Sequence, residues 1–150
     1  MINVAVDTNI LVYAEELQDT SKRKAAVDLL EQLPAETTLI PVQVLSELYR
    51  VLTGKARRSR AAARDAIFRW GDTFPLIETS PEVLMAALDL AATHRLYIWD
   101  AVVLAAAADA RCRLLLSEDF QEGFSWSGVT VSNPFSANRH LLLEGLLKEH

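Results

Sequence analysis

The stretch Asn3 to Asn9 restricts the fold of this sequence more than any other. An unbroken apolar run, Val4-Ala5-Val6, hands the chain to Asp7, Thr8 and Asn9 before Ile10 and Leu11 open a helical pattern. A short β-branched run that stops at a polar turn is the pattern of a buried parallel strand, and parallel sheets place ligands just outside the carboxyl ends of their strands. Asp7 is therefore expected to stand at a site.

The strand, turn and helix unit then recurs along the chain. Ile10, Leu11, Tyr13, Ala14 and Leu17 recur at helical spacing directly behind Asp7. Asp19, Thr20 and Ser21 offer N-cap chemistry for a second helix through about residue 33, with Ala26, Val27, Leu30 and Leu33 on one face and Pro34 as its stop. These two helices are expected to form a hairpin. Residues 37–40 are a strand candidate, and Pro41 suits the first turn of a helix over about 42–52 that Gly54 ends.

On that third helix Val44, Leu48 and Val51 form an apolar stripe, and Glu47 shares it. Its carboxylate is expected to face inward, where an unpaired charge is costly. Either a positive group compensates it, or it reaches solvent or pairs with Arg50. A fourth helix is expected over about 59–72, with Ala63, Ile67, Trp70 and Phe74 on one face, then a strand over 76–79. Ser80-Pro81-Glu82 starts a helix that reaches about His94. Ala101 to Ala110 is apolar enough to be a helix buried in the core, with Asp100 at its N-terminus either as an ordinary N-cap or, in company with other acids, as part of a site. A buried strand over 113–116 runs into Ser117, Glu118 and Asp119, and 129–131 reads as the last strand. The pattern as a whole predicts an α/β domain with a central, mostly parallel sheet flanked by helices.

Composition narrows the function classes. A chain of 150 residues, 51% of them hydrophobic, fits one globular domain with a sizeable core. The longest apolar run, Ala101 to Ala108, is far short of the roughly 20 residues of a membrane span, and no basic segment followed by an apolar signal region opens the chain. The cytoplasm is the expected location. Cys112 has no partner for a disulfide or a ligand set and reads as a buried structural thiol. His94, His140 and His150 have no histidine at i+3 or i+4, which leaves no histidine metal box, and all three are expected at the surface. A glycine-rich phosphate loop, a dinucleotide fingerprint and a Gly-x-Ser-x-Gly elbow are all absent.

The net charge of −5 argues mildly against a polyanionic partner, but its distribution argues otherwise. Seven of the fifteen basic residues, Arg50, Lys55, Arg57, Arg58, Arg60, Arg64 and Arg69, fall within twenty positions opposed only by Asp65. That segment is either a phosphate-binding patch or a solvated helix face. Three acids, Asp7, Asp100 and Asp119, lie at element junctions, and Glu47 points inward from a helix. Four carboxylates converging at one sheet edge would repel one another unless hard cations neutralised them, and Mg²⁺ or Mn²⁺ is the natural solution.

The strand ending in Asp7-Thr8-Asn9, Glu47 in its helix, Trp99-Asp100-Ala101 opening an alanine-rich helix, the turn Leu116-Ser117-Glu118-Asp119-Phe120 and the closing Val131-Ser132-Asn133-Pro134-Phe135 together resemble a PIN-domain ribonuclease of the VapC toxin type. The resemblance spans residues 4–135, so 1–135 is expected to be the PIN domain and 136–150 a tail forming a short helix packed on it. It implies an α/β/α sandwich, Mg²⁺- or Mn²⁺-dependent endoribonuclease activity leaving a 5′ phosphate, an RNA substrate, a homodimer, and a cognate antitoxin whose tail occupies the groove near the acids. Asp7, Glu47, Asp100 and Asp119 match the family's acidic set. Asp7 and Asp100 would be the firmest metal ligands, Glu47 a ligand or the base orienting water, and Asp119 a ligand able to act through water. Thr8, Asn9 and Ser117 match the polar positions that hold this cluster by hydrogen bonds. Glu118 could turn toward the metal in place of Asp119, although the family pattern favours Asp119.

On this reading Lys55, Arg57, Arg58, Arg60 and Arg64 would contact the RNA backbone. A phosphatase-like hydrolase using Asp7 as nucleophile fits less well. Asn9 stands where its second acid is needed, and lysines occur only at 22, 24, 55 and 148. The remaining alternative is a catalytically silent module that only binds RNA or protein, and retention of four costly acids argues against it.

Overall fold

Val4, Ala5 and Val6 are almost wholly withdrawn from solvent because β1 (Asn3–Val6) lies inside the sheet, between β2 (Thr38–Pro41) and β4 (Cys112–Leu116), and is parallel to both. A computed structural model describes residues 1–149 of the chain. Its sheet has six strands, completed by β3 (Leu76–Ile77), β5 (Ser125–Trp126) and β6 (Val129–Ser132), in the order β3-β2-β1-β4-β6-β5. All neighbours are parallel except β5 and β6. The chain steps outward from β1 through β2 to β3 and then crosses to β4 on the other side of β1. That reversal makes the carboxyl edge between β1 and β4 the switch point where such sheets bind ligands.

The flanking helices are α1 (Thr8–Ala14), α2 (Ser21–Gln32), α3 (Val42–Thr53), α4 (Arg60–Thr73), α5 (Pro81–His94), α6 (Ile98–Asp109) and α7 (Leu141–Glu149). Most begin where expected: Thr20, Ser59 and Ser80 each cap a helix by accepting an amide hydrogen bond. Val102 to Ala107 of α6 are at most 3% exposed, so this alanine-rich helix is a core element, its small side chains allowing close approach to the sheet. Leu143 and Leu146 of α7 join the same core. Cys112 is buried at the start of β4, and burial pushes its thiol up to about 12, so it is inert. Among the described residues no helix is long and apolar enough to cross a membrane.

Several expectations are corrected. α1 stops at Ala14, so Leu17 is not on its apolar face but 84% exposed. In α2 Leu29 rather than Val27 is buried, and in α3 Leu45 and Leu52 share the inward face while Val51 is only partly covered. The third strand is two residues long and ends at Ile77. β5 was not expected at all. It is an edge strand folded back antiparallel on β6 through Ser127 and Gly128, both at positive φ (49° and 86°), as a tight hairpin turn requires. Asp100 does not cap α6. The cap position is Tyr97, which gives no side-chain cap, and Asp100 sits inside the first turn. His140 is half-buried just ahead of α7, its Nδ1 accepting from the Leu142 amide in the first turn of that helix, whereas His94 is exposed beside Phe124 and His150 lies outside the described residues.

One polar clip ties the end of α1 to the segment around α4. The Glu15 carboxylate accepts from Arg58 Nη1 at 2.7 Å and from Trp70 Nε1 at 2.9 Å, while the Glu15 carbonyl accepts from Arg58 Nη2. Both charged side chains are largely covered, at 13% and 14% exposure. Removing one partner strands the other groups in a poorly solvated place. Glu15→Ala should therefore lower unfolding free energy by about 2–4 kcal/mol in urea titration with an unchanged slope; a change below about 0.5 kcal/mol would mean the clip is solvated.

Candidate metal centre

The centre is built outward from Asp7, the first residue after β1. The Asp7 amide donates to the Leu116 carbonyl at 3.0 Å, extending the β1–β4 ladder by one residue and setting its side chain beside Ser117. Its carboxylate is 2% exposed and accepts two hydrogen bonds: Oδ1 from the Thr8 amide at 2.8 Å, as N-cap of α1, and Oδ2 from Ser117 Oγ at 2.6 Å. Those bonds do not offset the lost hydration. Burial first, then the nearby charges of Asp119 and Asp100, push the Asp7 carboxyl up to about 7.

Ser117 is the joint of the structure. Its hydroxyl donates to Asp7 and accepts from Asn9 Nδ2 at 3.2 Å and from the Asp119 amide at 3.0 Å, using its one donor and two lone pairs. The Glu118 amide in turn donates to Asn9 Oδ1 at 3.4 Å. The turn after β1 and the turn after β4 are thus one hydrogen-bonded unit, which fixes where Asp119 begins.

Asp100 arrives from a different direction, on the first turn of α6. It is half-buried, and burial, followed by repulsion from Asp119 and Glu47, pushes its carboxyl up to about 6. Asp119 is exposed at the rim. Asp7, Asp100 and Asp119 each offer a carboxylate oxygen, and these oxygens lie within 4.8 Å of one another. Opposed oxygens of an octahedral ion with bonds of about 2.1 Å are about 4.2 Å apart, so small movements would let the three share one Mg²⁺ or Mn²⁺. The donor set, all oxygen and all anionic, fits a hard cation.

Glu47 stands outside this trio. Its Oε2 accepts from Thr8 Oγ1 at 2.8 Å and its Oε1 from Gln43 Nε2 at 3.4 Å, so two neutral donors hold it rather than a positive partner or Arg50, and, half-buried, it reaches solvent in the groove as the other alternative had it. Glu118 is turned elsewhere. It accepts from Tyr13 Oη and from Lys22 Nζ, both at 2.6 Å, and Lys22 lies over the rings of Tyr13 (4.9 Å) and Phe135 (4.7 Å). Burial raises the Glu118 carboxyl, but the hydrogen bonds from Lys22 and Tyr13 outweigh it and hold the group below its usual range. Of the two adjacent acids, the clamp takes Glu118 and leaves Asp119 to the centre.

The basic segment divides. Arg58 belongs to the clip with Glu15 and is not available as a backbone contact; Arg64 pairs with its exposed neighbour Asp65, and Lys55, Arg57 and Arg60 are exposed. Beside the acids, α3 and the start of α6 enclose a groove of about 270 Å³, lined by Glu47 and Asp100 together with Gln43, Ser46, Arg50, Tyr97 and Trp99. Of the last five, Arg50 belongs to the basic segment singled out from sequence, whereas Gln43, Ser46, Tyr97 and Trp99 were not marked as site residues. Two features could have found Tyr97 and Trp99: they flank Ile98 where α6 begins, and they place aromatic rings within three residues of Asp100.

The model of the PIN domain matches residues 4–124 of the chain. The chain belongs to the PIN-domain family. No curated protein matches it by sequence. Among solved structures, this PIN domain is similar to a toxin–antitoxin complex from Klebsiella pneumoniae (22% identity, TM-score 0.66, covering 89% of this chain and 98% of that one). It is similar also to VapC20 of Mycobacterium tuberculosis, a sarcin-ricin loop cleaving toxin (17%, TM-score 0.65, covering 78% and 92%). A third likeness is to VapBC-1 of nontypeable Haemophilus influenzae (13%, TM-score 0.67, covering 90% and 100%). At these identities the likeness is one of fold.

The raised acids of this PIN domain make its stability depend on pH, and a cation held between them would offset that dependence. Asp7 titrates near 7 when folded against 3.8 ordinarily, so the folded state binds the proton more tightly. Its favourable contribution is complete below about pH 4 and is lost as pH rises through about 7. In metal-free buffer the melting temperature of the wild type should fall over that window relative to Asp7→Asn, and Mn²⁺ should restore it at pH 8 in the wild type only. Parallel pH profiles for the two proteins would contradict this placement of the charge.

Proposed function

We propose that the protein is a metal-dependent endoribonuclease acting as the toxin of a toxin–antitoxin pair of the VapC type. The observation that carries the proposal is the convergence of Asp7, Asp100 and Asp119 within 4.8 Å at the sheet's switch point, with Asp7 buried and strongly raised. Supporting it are membership of the PIN-domain family and the likeness in fold to VapC20, a sarcin-ricin loop cleaving toxin, and to toxin–antitoxin complexes.

Asp7 and Asp100 would be the firmest ligands of Mg²⁺ or Mn²⁺, with Asp119 at the exposed rim as a third ligand, direct or through water. Bound there, the ion would polarise the scissile phosphate and lower the pKa of an attacking water. Ser117 and Asn9 keep the two loops in register, so the carboxylates need little rearrangement. Glu47, held by Thr8 and Gln43 next to the trio, is placed to orient the water or complete the ligand set. The product would carry a 5′ phosphate. Lys55, Arg57, Arg60 and Arg64 would bind backbone phosphates without reading sequence. The partners proposed are a cognate antitoxin whose tail occupies the groove and a second copy of the chain, in the cytoplasm.

Purified, antitoxin-free protein should cleave structured RNA with Mg²⁺ or Mn²⁺ and stop in EDTA. Asp100→Asn should lower the rate at least about 100-fold. Equal cleavage by wild type and variant would remove the acids from the chemistry.

A further inference from the structure

Most aromatic side chains of this fold are spent on packing: Trp70 stacks on Phe74, Phe120 on Phe124, and Tyr13 meets Phe135 edge-on. Tyr97 and Trp99 are different. They are 68% and 45% exposed, and neither ring stacks on another among the described residues. Ile98 between them packs against the core, which anchors the turn and leaves its neighbours in the groove. That groove also holds Arg50, which forms no ion pair among the described residues, and the amide of Gln43 and hydroxyl of Ser46.

We infer that Tyr97 and Trp99 form a stacking platform for an unpaired nucleobase next to the cleaved phosphate, with Arg50 on the facing helix for an adjoining phosphate. The inference rests on the nuclease reading and names its substrate class: RNA whose target nucleotide is single-stranded or turned out of its helix. Exposed rings offer a π face that any base can use, whereas bases inside a continuous duplex present only their edges. Because the rings and Asp100 share one turn of α6, a base on the platform is held at a fixed offset from the acids. Gln43 and Ser46 supply donors and acceptors at the edge of that base, where preference among bases would arise. A guanidinium placed here adds a phosphate contact and stacking of its own.

Binding is read apart from cleavage in the Asp119→Asn protein with Mg²⁺, using anisotropy of a fluorescein-labelled single-stranded oligoribonucleotide and a fully paired duplex of the same sequence. Adding Tyr97→Ala or Trp99→Ala should weaken single-strand binding about ten-fold each, with the melting temperature unchanged, while Tyr97→Phe and Trp99→Phe keep most of the affinity. The single strand should quench tryptophan emission, and Trp99→Phe should abolish the quench. Duplex binding should be indifferent to all four changes. Alanine variants that bind the single strand like their parent overturn the platform. So does an unquenched Trp99, or variants whose only change is in self-association by sedimentation, which would assign the rings to a protein contact. If wild-type protein fails to cut RNA while ring-dependent binding persists, the nuclease reading falls and the platform stands.

Discussion

Keeping a carboxylate dry at the end of the central strand is the constraint on which this structure turns. Asp7 is where it is because β1 is flanked on both edges and its residues are all but inaccessible, so the first residue past its end is still inside the molecule. Water cannot solvate that charge, and two hydrogen bonds leave it raised to about 7. Two further acids nearby make the ionised state costlier still. A fold that merely needed to end a strand would place a neutral residue here; three acids at one switch point are instead an all-oxygen donor set that fits the cation of the proposed function.

The rest of the local architecture follows from holding these groups apart without a metal and aiming them together. Ser117 uses all its hydrogen-bonding capacity to join the turns after β1 and β4, and Asn9 closes the same joint from the other side. Glu118 would be a fourth negative charge at the centre if it faced inward. Lys22, steadied between the Tyr13 and Phe135 rings, removes it by pairing outside. Glu47 is retained at a distance by neutral donors, close enough for Asp100 to feel its charge. The groove then opens past Glu47 and Asp100 toward Arg50 and the exposed rings, so that on the proposed reading cation, phosphate and base would be met in sequence along one surface.

Much of this was legible in the residues. A strand whose last three positions are all buried has no alternation to confuse its reading, and it must deliver its next polar residue to the sheet's edge, which is why Asp7 stood out. The helix starts were equally plain where serine, threonine or Ser-Pro-Glu announced them. What failed depended on partners remote in sequence. Asp100 reads from sequence both as an N-cap, where aspartate is common, and as a site acid; α6 starts at Ile98, so the N-cap reading fails and Asp100 lies within the first turn. Arg58 looked like one more member of a basic run until Glu15, 43 positions away, claimed it. Leu17 fitted a helical stripe, but the helix had already ended. β5 is two residues long and pairs only through its hairpin, too short for any periodicity to register. Tyr97 and Trp99 read as apolar residues leading into a core helix, and nothing in the spacing distinguishes a ring that packs from one that faces a groove.

The most direct test of the centre is calorimetric titration of Mn²⁺ into metal-free protein near pH 6.5, repeated in buffers of different ionisation enthalpy. With Asp7 titrating near 7 and Asp100 near 6, occupation of the trio should release protons on binding, and Asp7→Asn should lose both the affinity and the proton release. Binding without proton release, or equal binding by the variant, would contradict a metal centre built on the buried carboxylate.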